Sequence, residues 1–346
     1  MTNSYDYLLP NELIAQTPAD KRDQSRLLVF DESTGEITHT LFDQLASFLE
    51  ENSCIALNNT KVFSSRVFGK KSTGSKAEFL FLDNKLDSEL VVEVMIRSNG
   101  KKKIGDTYFV NDNKSIQIVS RSELTFKVKL GNIPNLREFL AQNAGVPIPP
   151  YIRNGESDDN DIVRYQTTYA LEEGSIAAPT AGLHFTDEVF QSLSEKNIER
   201  AFVTLHVGLG TFRPVSDELI LDHKMHSEVF KIKSGEFEKI QSNKTIAVGT
   251  TTLRVLESMA QNNVYKTDQY QSTDIFLYPG VNIQSVQGLL TNFHLPKSTL
   301  LMLVSSLIGR EKTLELYSEA IKQKYRFYSY GDAMLILRKG YRKIEV

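Results

Sequence analysis

Apolar residues in this chain recur with two different periods. Between residues 61 and 150 they alternate with polar ones, in runs at 78–82, 90–96, 107–110, 115–119 and 124–130, each bounded by Gly, Asn, Asp or Lys. A period of two sends successive side chains to opposite faces of a strand. Several such runs at short spacing predict an all-β barrel or sandwich, closed off by Pro147, Pro149 and Pro150. After residue 151 the texture changes. Short apolar runs at 175–178, 201–205, 245–248, 274–278 and 333–337 are separated by helical spacing at 187–196, 253–261, 298–308 and 312–324. Repeated strand–loop–helix units predict a mostly parallel sheet with helices on its faces. At the start of the chain, residues 10–15 read as a short helix, 26–31 and 36–40 as a hairpin around Gly35, and 42–49 as a helix. The expected architecture is therefore an α/β domain from residues 1–60 and 151–346, with an antiparallel β-barrel domain, 61–150, inserted into it.

Composition supports this outline. At 346 residues and 40% hydrophobic, the chain is long enough for about two domains and can bury an ordinary core. Its single cysteine, Cys54, excludes a disulfide scaffold and any multi-cysteine metal centre, and suits a reducing compartment. The longest apolar stretch, 299–308, is interrupted by Ser305 and Ser306, well short of the ~20 residues a membrane helix needs. The first residues lack the basic and apolar blocks of a secretion signal. These features predict a soluble cytoplasmic protein. The net charge of −3 hides a division: residues 61–150 hold fifteen Lys and Arg against nine Asp and Glu, a local +6. A polyanion responds to charge near its contact rather than to the average.

The residues just after the strand runs carry the candidate chemistry, because ligands of open α/β sheets bind beyond the carboxyl ends of the strands. Those positions read APTAGLHF (178–185), HVGLGTFRPV (206–215), GTTTLR (249–254), Pro279-Gly280 and TNFHLPKS (291–298). Glycine lets backbone approach a ligand, and Thr or Ser at a helix start leaves N–H groups available to anions. Arg213 and Arg254 could clamp a carboxylate or phosphate, or simply form ion pairs. Five of the six histidines, His184, His206, His223, His226 and His294, fall in this part of the chain. Hydrogen bonding or proton transfer suits them, with Glu228 an acid–base partner or a solvated residue. His223-x-x-His226-x-Glu228 lacks the HExxH pattern, so no metal is expected. There is neither a G-x-S-x-G elbow nor a Walker loop. Spacing alone thus yields a ligand-binding α/β enzyme without naming its reaction.

Taken together and in order, these segments closely resemble the S-adenosylmethionine:tRNA ribosyltransferase-isomerases of queuosine biosynthesis. The resemblance runs from YDYLLP (5–10) through NNTKV (58–62) and Arg66, YQTTYA (165–170), the APTAGLHF and HVGLGTFRPV loops, MHSE (225–228), residues 248–258, residues 273–280 and TNFHLPKSTLLMLVS (291–305) to SYGDAMLI (329–336). Val281 and Gln287 depart from the family pattern just before the TNFHLP loop. The resemblance implies that the ribosyl group of S-adenosylmethionine, a co-substrate, moves to 7-aminomethyl-7-deazaguanine at the tRNA wobble position. Rearrangement there gives epoxyqueuosine-tRNA with release of adenine and methionine. A monomer without a metal is expected. On this reading His206, His184, His294 and Glu228 are the acid–base candidates. The adenosylmethionine pocket comprises Gly208, Gly210, Thr211, Arg213, Thr250, Thr251, Arg254, Thr291, Asn292, Phe293 and Ser298. The tRNA would lie along Lys61, Arg66, Lys70, Lys71, Lys101, Lys102 and Lys103. A methyltransferase or a non-catalytic RNA-binding module are the alternatives.

Overall fold

A computed structural model of the chain describes residues 1–84, 91–111, 113–208, 219–262 and 266–341. It divides into two compact units, Met1–Lys61 with Gln166–Glu172 and Ala178–Val346, and Val62–Tyr165 with Glu173–Ala177. The short strands β4 (Thr60–Val62) and β11 (Glu172–Ser175) fall where the chain passes between them.

The first unit is built on nine strands. They are β1 (Arg26–Asp31), β2 (Glu36–Leu41), β3 (Ser53–Asn58), β12 (Glu199–Leu205), β13 (Glu228–Ile232), β14 (Lys244–Val248), β15 (Gln271–Thr273), β16 (Gly288–Asn292) and β17 (Ala333–Leu337). They lie in the order β15-β13-β12-β3-β14-β16-β17-β1-β2. Strands β3, β16 and β17 are buried at every position, which is why they read as continuous apolar runs rather than alternating ones. Gly288 leaves room that a side chain would fill: a Cβ there would lie 2.5 Å from Ile246 Cδ1 and 2.6 Å from the Ile336 carbonyl.

The sheet is mixed, which corrects the expectation of a mostly parallel one. Pairs β12–β3, β3–β14, β14–β16 and β17–β1 are parallel; β1–β2, β16–β17, β12–β13 and β13–β15 are antiparallel. One cause is the helix pair α7 (Thr299–Ile308) and α8 (Arg310–Lys322). One helix returns the chain along the sheet and the second carries it forward again, so β17 starts where β16 ends. The remaining helices of this unit are α1 (Leu45–Phe48), α4 (Asp187–Glu195), α5 (Ser234–Ser242) and α6 (Thr250–Asn262). Leu27, Phe42, Leu57, Phe185, Leu193, Val248 and Leu335 belong to one buried cluster between sheet and helices. Burial of each such side chain stabilises by about 1.5–3 kcal/mol.

The run at 274–278 is not a strand, and of 175–178 only Ser175, the last residue of β11, is in one. Ile275 N bonds to Thr273 Oγ1 and Ile275 O accepts from Arg254 Nε, while Ser175 Oγ donates to the Ala177 carbonyl. Side chains there occupy backbone groups that a ladder would need.

The second unit holds β5 (Arg66–Lys70), β6 (Lys76–Phe81), β7 (Val91–Arg97), β8 (Thr107–Phe109), β9 (Ser115–Arg121) and β10 (Phe126–Gly131). Joined antiparallel in the order β10-β7-β6-β5-β8-β9, they close into a barrel through the β9–β10 pair. Val67, Phe79, Phe81, Val94, Tyr108, Ile116 and Val128 are buried, and exposed residues alternate with them, as the period predicted. This unit runs past the proline cluster to Tyr165, through α2 (Leu136–Asn143) and α3 (Asp159–Arg164). Buried Arg66 accounts for part of that extension, because its guanidinium donates to the carbonyls of Ile148 and Gly155. An Arg153–Asp161 ion pair secures the rest.

Candidate active site

Because β12, β3, β14 and β16 are parallel neighbours, their carboxyl ends share one edge of the sheet. There Asn58 ties three elements together. Its Oδ1 accepts from Leu205 N at 3.0 Å and Thr60 N at 3.1 Å, and its Nδ2 donates to Leu205 O at 3.0 Å and Thr251 Oγ1 at 3.4 Å. Next to β14, Gly249 takes φ +87°, a conformation that favours glycine, and α6 starts at Thr250. Thr250 and Thr251 are buried at that start.

His206 follows β12. Its Nδ1 lies 2.9 Å from Thr60 Oγ1, whose own proton points to the Glu172 carbonyl at 3.4 Å. Thr60 therefore accepts from Nδ1–H, and Nε2 keeps its lone pair. That nitrogen bonds to no other described residue. Burial lowers the ring's pKa, Glu172 partly opposing it, so the imidazole is neutral at pH 7. Its ring stacks with Tyr270 at a centroid separation of 6.3 Å. Two residues on, Gly208 N donates to Glu228 Oε1 at 3.0 Å, and Glu228 Oε2 pairs with Arg254 Nη1. Glu228 and Arg254 are only 4% and 3% exposed, so the pair is a buried clamp on the loop rather than a free acid–base group. Among the described residues, buried Arg254 Nη2 has no hydrogen-bond partner. An unpaired buried donor costs about 1–3 kcal/mol, and its cation suits an anionic group of a ligand.

Around β16 the polar groups are turned inward. Thr180 Oγ1 donates to Asn292 Oδ1 at 2.9 Å, and Asn292 Nδ2 donates to His184 Nε2 at 3.3 Å. His184 Nδ1 reaches Ser25 Oγ at 2.7 Å, and Ser25 donates to the Arg22 carbonyl at 3.2 Å. Both ring nitrogens are thus occupied, and burial pushes the imidazole down to about 4. His294 Nε2 meets Thr291 Oγ1 at 2.8 Å, its backbone N–H donates to the Tyr317 hydroxyl at 2.9 Å and its carbonyl accepts from Tyr7; burial lowers its ring to about 3. Phe293 is fully buried among Tyr317, Tyr325 and Phe327, and Ser298 caps α7 through Leu301 N at 3.2 Å. These two residues build the fold rather than line a pocket. Gly210, Thr211 and Arg213 lie outside the described residues. Among the described residues, no hydrogen bond joins His184, His206 and His294 to one another, and no group of three or more His, Cys, Asp or Glu gathers as a metal would require.

Of the basic residues expected to meet tRNA, Lys61, Lys70, Lys101 and Lys103 are exposed and Lys102 is half-buried. Lys71 pairs with Asp106 at 2.6 Å, and Arg66 is buried against Glu78 at 3.0 Å, out of reach of a phosphate. Asn58, Thr60, Thr180 and Ser25 were not singled out from the sequence. Asn58-Asn59-Thr60 directly after an apolar strand was the available signal for the first two.

A family model described as "Queuosine biosynthesis protein" matches residues 2–336. The chain belongs to this family. Within the wider set of relatives, an S-adenosylmethionine:tRNA ribosyltransferase-isomerase from Carboxydothermus hydrogenoformans is 46% identical over 340 residues, covering 96% of this chain and 98% of that protein. A protein of the same name from Acetivibrio thermocellus is 45% identical over 344 residues, with 96% and 99% covered. The crystal structure of an S-adenosylmethionine tRNA ribosyltransferase from Thermotoga maritima has a TM-score of 0.54 and 32% identity, covering 96% of this chain and 100% of that one. The family match spans both units described above, and among the described residues no helix is long and apolar enough to cross a membrane.

Proposed function

We propose that this chain is an S-adenosylmethionine:tRNA ribosyltransferase-isomerase. It moves the ribosyl group of adenosylmethionine onto 7-aminomethyl-7-deazaguanine at the wobble position of tRNA. Isomerisation there gives epoxyqueuosine-tRNA, adenine and methionine. The observation that carries the reading is the end-to-end match to relatives bearing that name, at 46% identity over 96% of the chain.

The chemistry makes definite demands. The sulfonium acidifies the C5′ hydrogens, so an unprotonated base, a neutral imidazole or a carboxylate, must stand beside them. His206 meets this demand, with a neutral ring and an Nε2 that bonds to no other described residue. The methionine carboxylate needs a cation or a helix start, which Arg254 Nη2 and the first turn of α6 at Thr250 and Thr251 supply. The departing adenine needs a hydrogen-bond donor, and water must be kept from the unsaturated intermediate. Glu228 positions Arg254 and Gly208. The His184–Asn292 network and the His294 loop hold the adjoining wall. Lys61, Lys70 and Lys101–Lys103 attract tRNA phosphates.

Mass spectrometry of tRNA bearing the aminomethyl base, after incubation with adenosylmethionine and this protein, tests the reading. A ribosyl-derived mass gain with free adenine and methionine is expected. Formation of S-adenosylhomocysteine would mark a methyltransferase and overturn it.

A further inference from the structure

The barrel carries a feature that the catalytic edge does not use. Phe68 on β5 and Phe109 on β8 are 60% and 45% exposed, although most aromatic rings of this unit are buried. In the register of the two strands Lys70 lies opposite Phe109, which makes Phe68 and Phe109 diagonal neighbours on one outer face, within mutual reach of aromatic side chains. Under them the floor is stiff: Phe79 and Tyr108 pack edge to face at 5.2 Å, and Gly69 admits them, since a Cβ there would stand 3.2 Å from each. Around the rings the outer face is cationic. Lys70 pairs in register with Lys76, and Glu78 with Phe68 and Arg97; Glu78 itself is held by Arg66 at 3.0 Å.

Exposed rings bordered by cations fit flat, anionic partners. We propose that Phe68 and Phe109 form a stacking platform for unpaired nucleotides of the RNA substrate, with Lys70, Lys76 and Arg97 on the adjoining phosphates. Stacking reads the face that every base shares, so the platform grips RNA without selecting sequence, and the cations add a salt-dependent attraction. The inference rests on the reading above that RNA is the substrate. It extends that reading to a surface remote in sequence from the catalytic loops.

The test is fluorescence anisotropy of a labelled anticodon stem-loop, titrated with the wild-type protein and with Phe68→Ala, Phe109→Ala, Phe68→Tyr and Lys70→Gln across a salt series. Each alanine variant should bind about tenfold more weakly, with the salt slope unchanged and its melting temperature preserved. Phe68→Tyr should bind as wild type. Lys70→Gln should reduce the salt slope by about one. In adenine release, the alanine variants should show a raised KM for tRNA at unchanged kcat. The proposal is overturned if the alanine variants bind RNA as tightly as wild type, or if Phe68→Tyr loses as much as Phe68→Ala. It is also overturned if the rings instead mediate a dimer that Phe68→Ala dissociates, or binding to anionic vesicles with RNA affinity unaffected. Ring-dependent RNA binding by a protein that releases no adenine would support the platform while refuting the catalytic reading.

Discussion

On the His184 side of the sheet edge polar side chains face one another; on the His206 side two polar atoms, His206 Nε2 and Arg254 Nη2, have no hydrogen bond among the described residues. His184 has both ring nitrogens bonded, to Ser25 and Asn292, whereas His206 has one bonded, to Thr60. Asn292 is linked to Thr180, His184 and the Asp332 carbonyl, whereas Arg254 keeps a buried nitrogen with no partner among the described residues. The same residue types therefore do different work. A satisfied buried network makes one geometry rigid; an unsatisfied buried donor awaits a ligand or costs stability.

The sharpest way to break this contrast is to remove each histidine. His206→Ala should slow single-turnover adenine release by about 10²–10⁴-fold with a melting temperature close to wild type. His184→Ala should lower the melting temperature and leave release by the folded protein within severalfold. Equal kinetic losses in both would erase the distinction.

A second contrast separates the two roles of Arg254. Arg254→Met removes the cation paired with buried Glu228 and should destabilise by about 3–5 kcal/mol, measured by urea denaturation. Adding Glu228→Gln should recover most of that stability, yet calorimetry should still find adenosylmethionine binding weakened. Recovery of both together would make Arg254 a purely structural ion-pair partner.

Acid provides a third. Burial holds the folded His184 at about 4, against about 6.5 when unfolded, so between those values the unfolded chain binds the extra proton. Stability is full above pH 6.5 and falls as pH drops toward 4, by roughly 3 kcal/mol from this residue. Urea midpoints across that window should show the slope, and His184→Gln should remove about half of it, the rest belonging to His294, which burial holds at about 3. The smallest effect belongs to Ser298: Ser298→Ala should cost about 1 kcal/mol of stability through its lost cap and leave the rate unchanged.

Much of the fold was legible because periodicity is local. Alternation marked β6 to β10, and apolar runs marked β12, β14 and β17. Strand β5 was missed because Gly69 interrupts its pattern, and the direction of β17 depends on two helices packing together, which no local pattern encodes. In the candidate site, the loops themselves were legible from their Gly, Thr and His content. The difference between His184 and His206 was not, because the partners of His184 lie 159 and 108 residues away. Phe293 and Arg66 were misread for the same reason: Tyr317, Phe327, Ile148 and Gly155 enclose them from other parts of the sequence.

Histidine-ring NMR of the wild-type protein, with assignments from His206→Gln and His184→Gln, addresses the division of the edge most directly. On addition of adenosylmethionine the His206 resonances should shift while those of His184 stay in place, neutral and protonated on Nδ1. Movement of His184 with His206 unchanged would contradict the account.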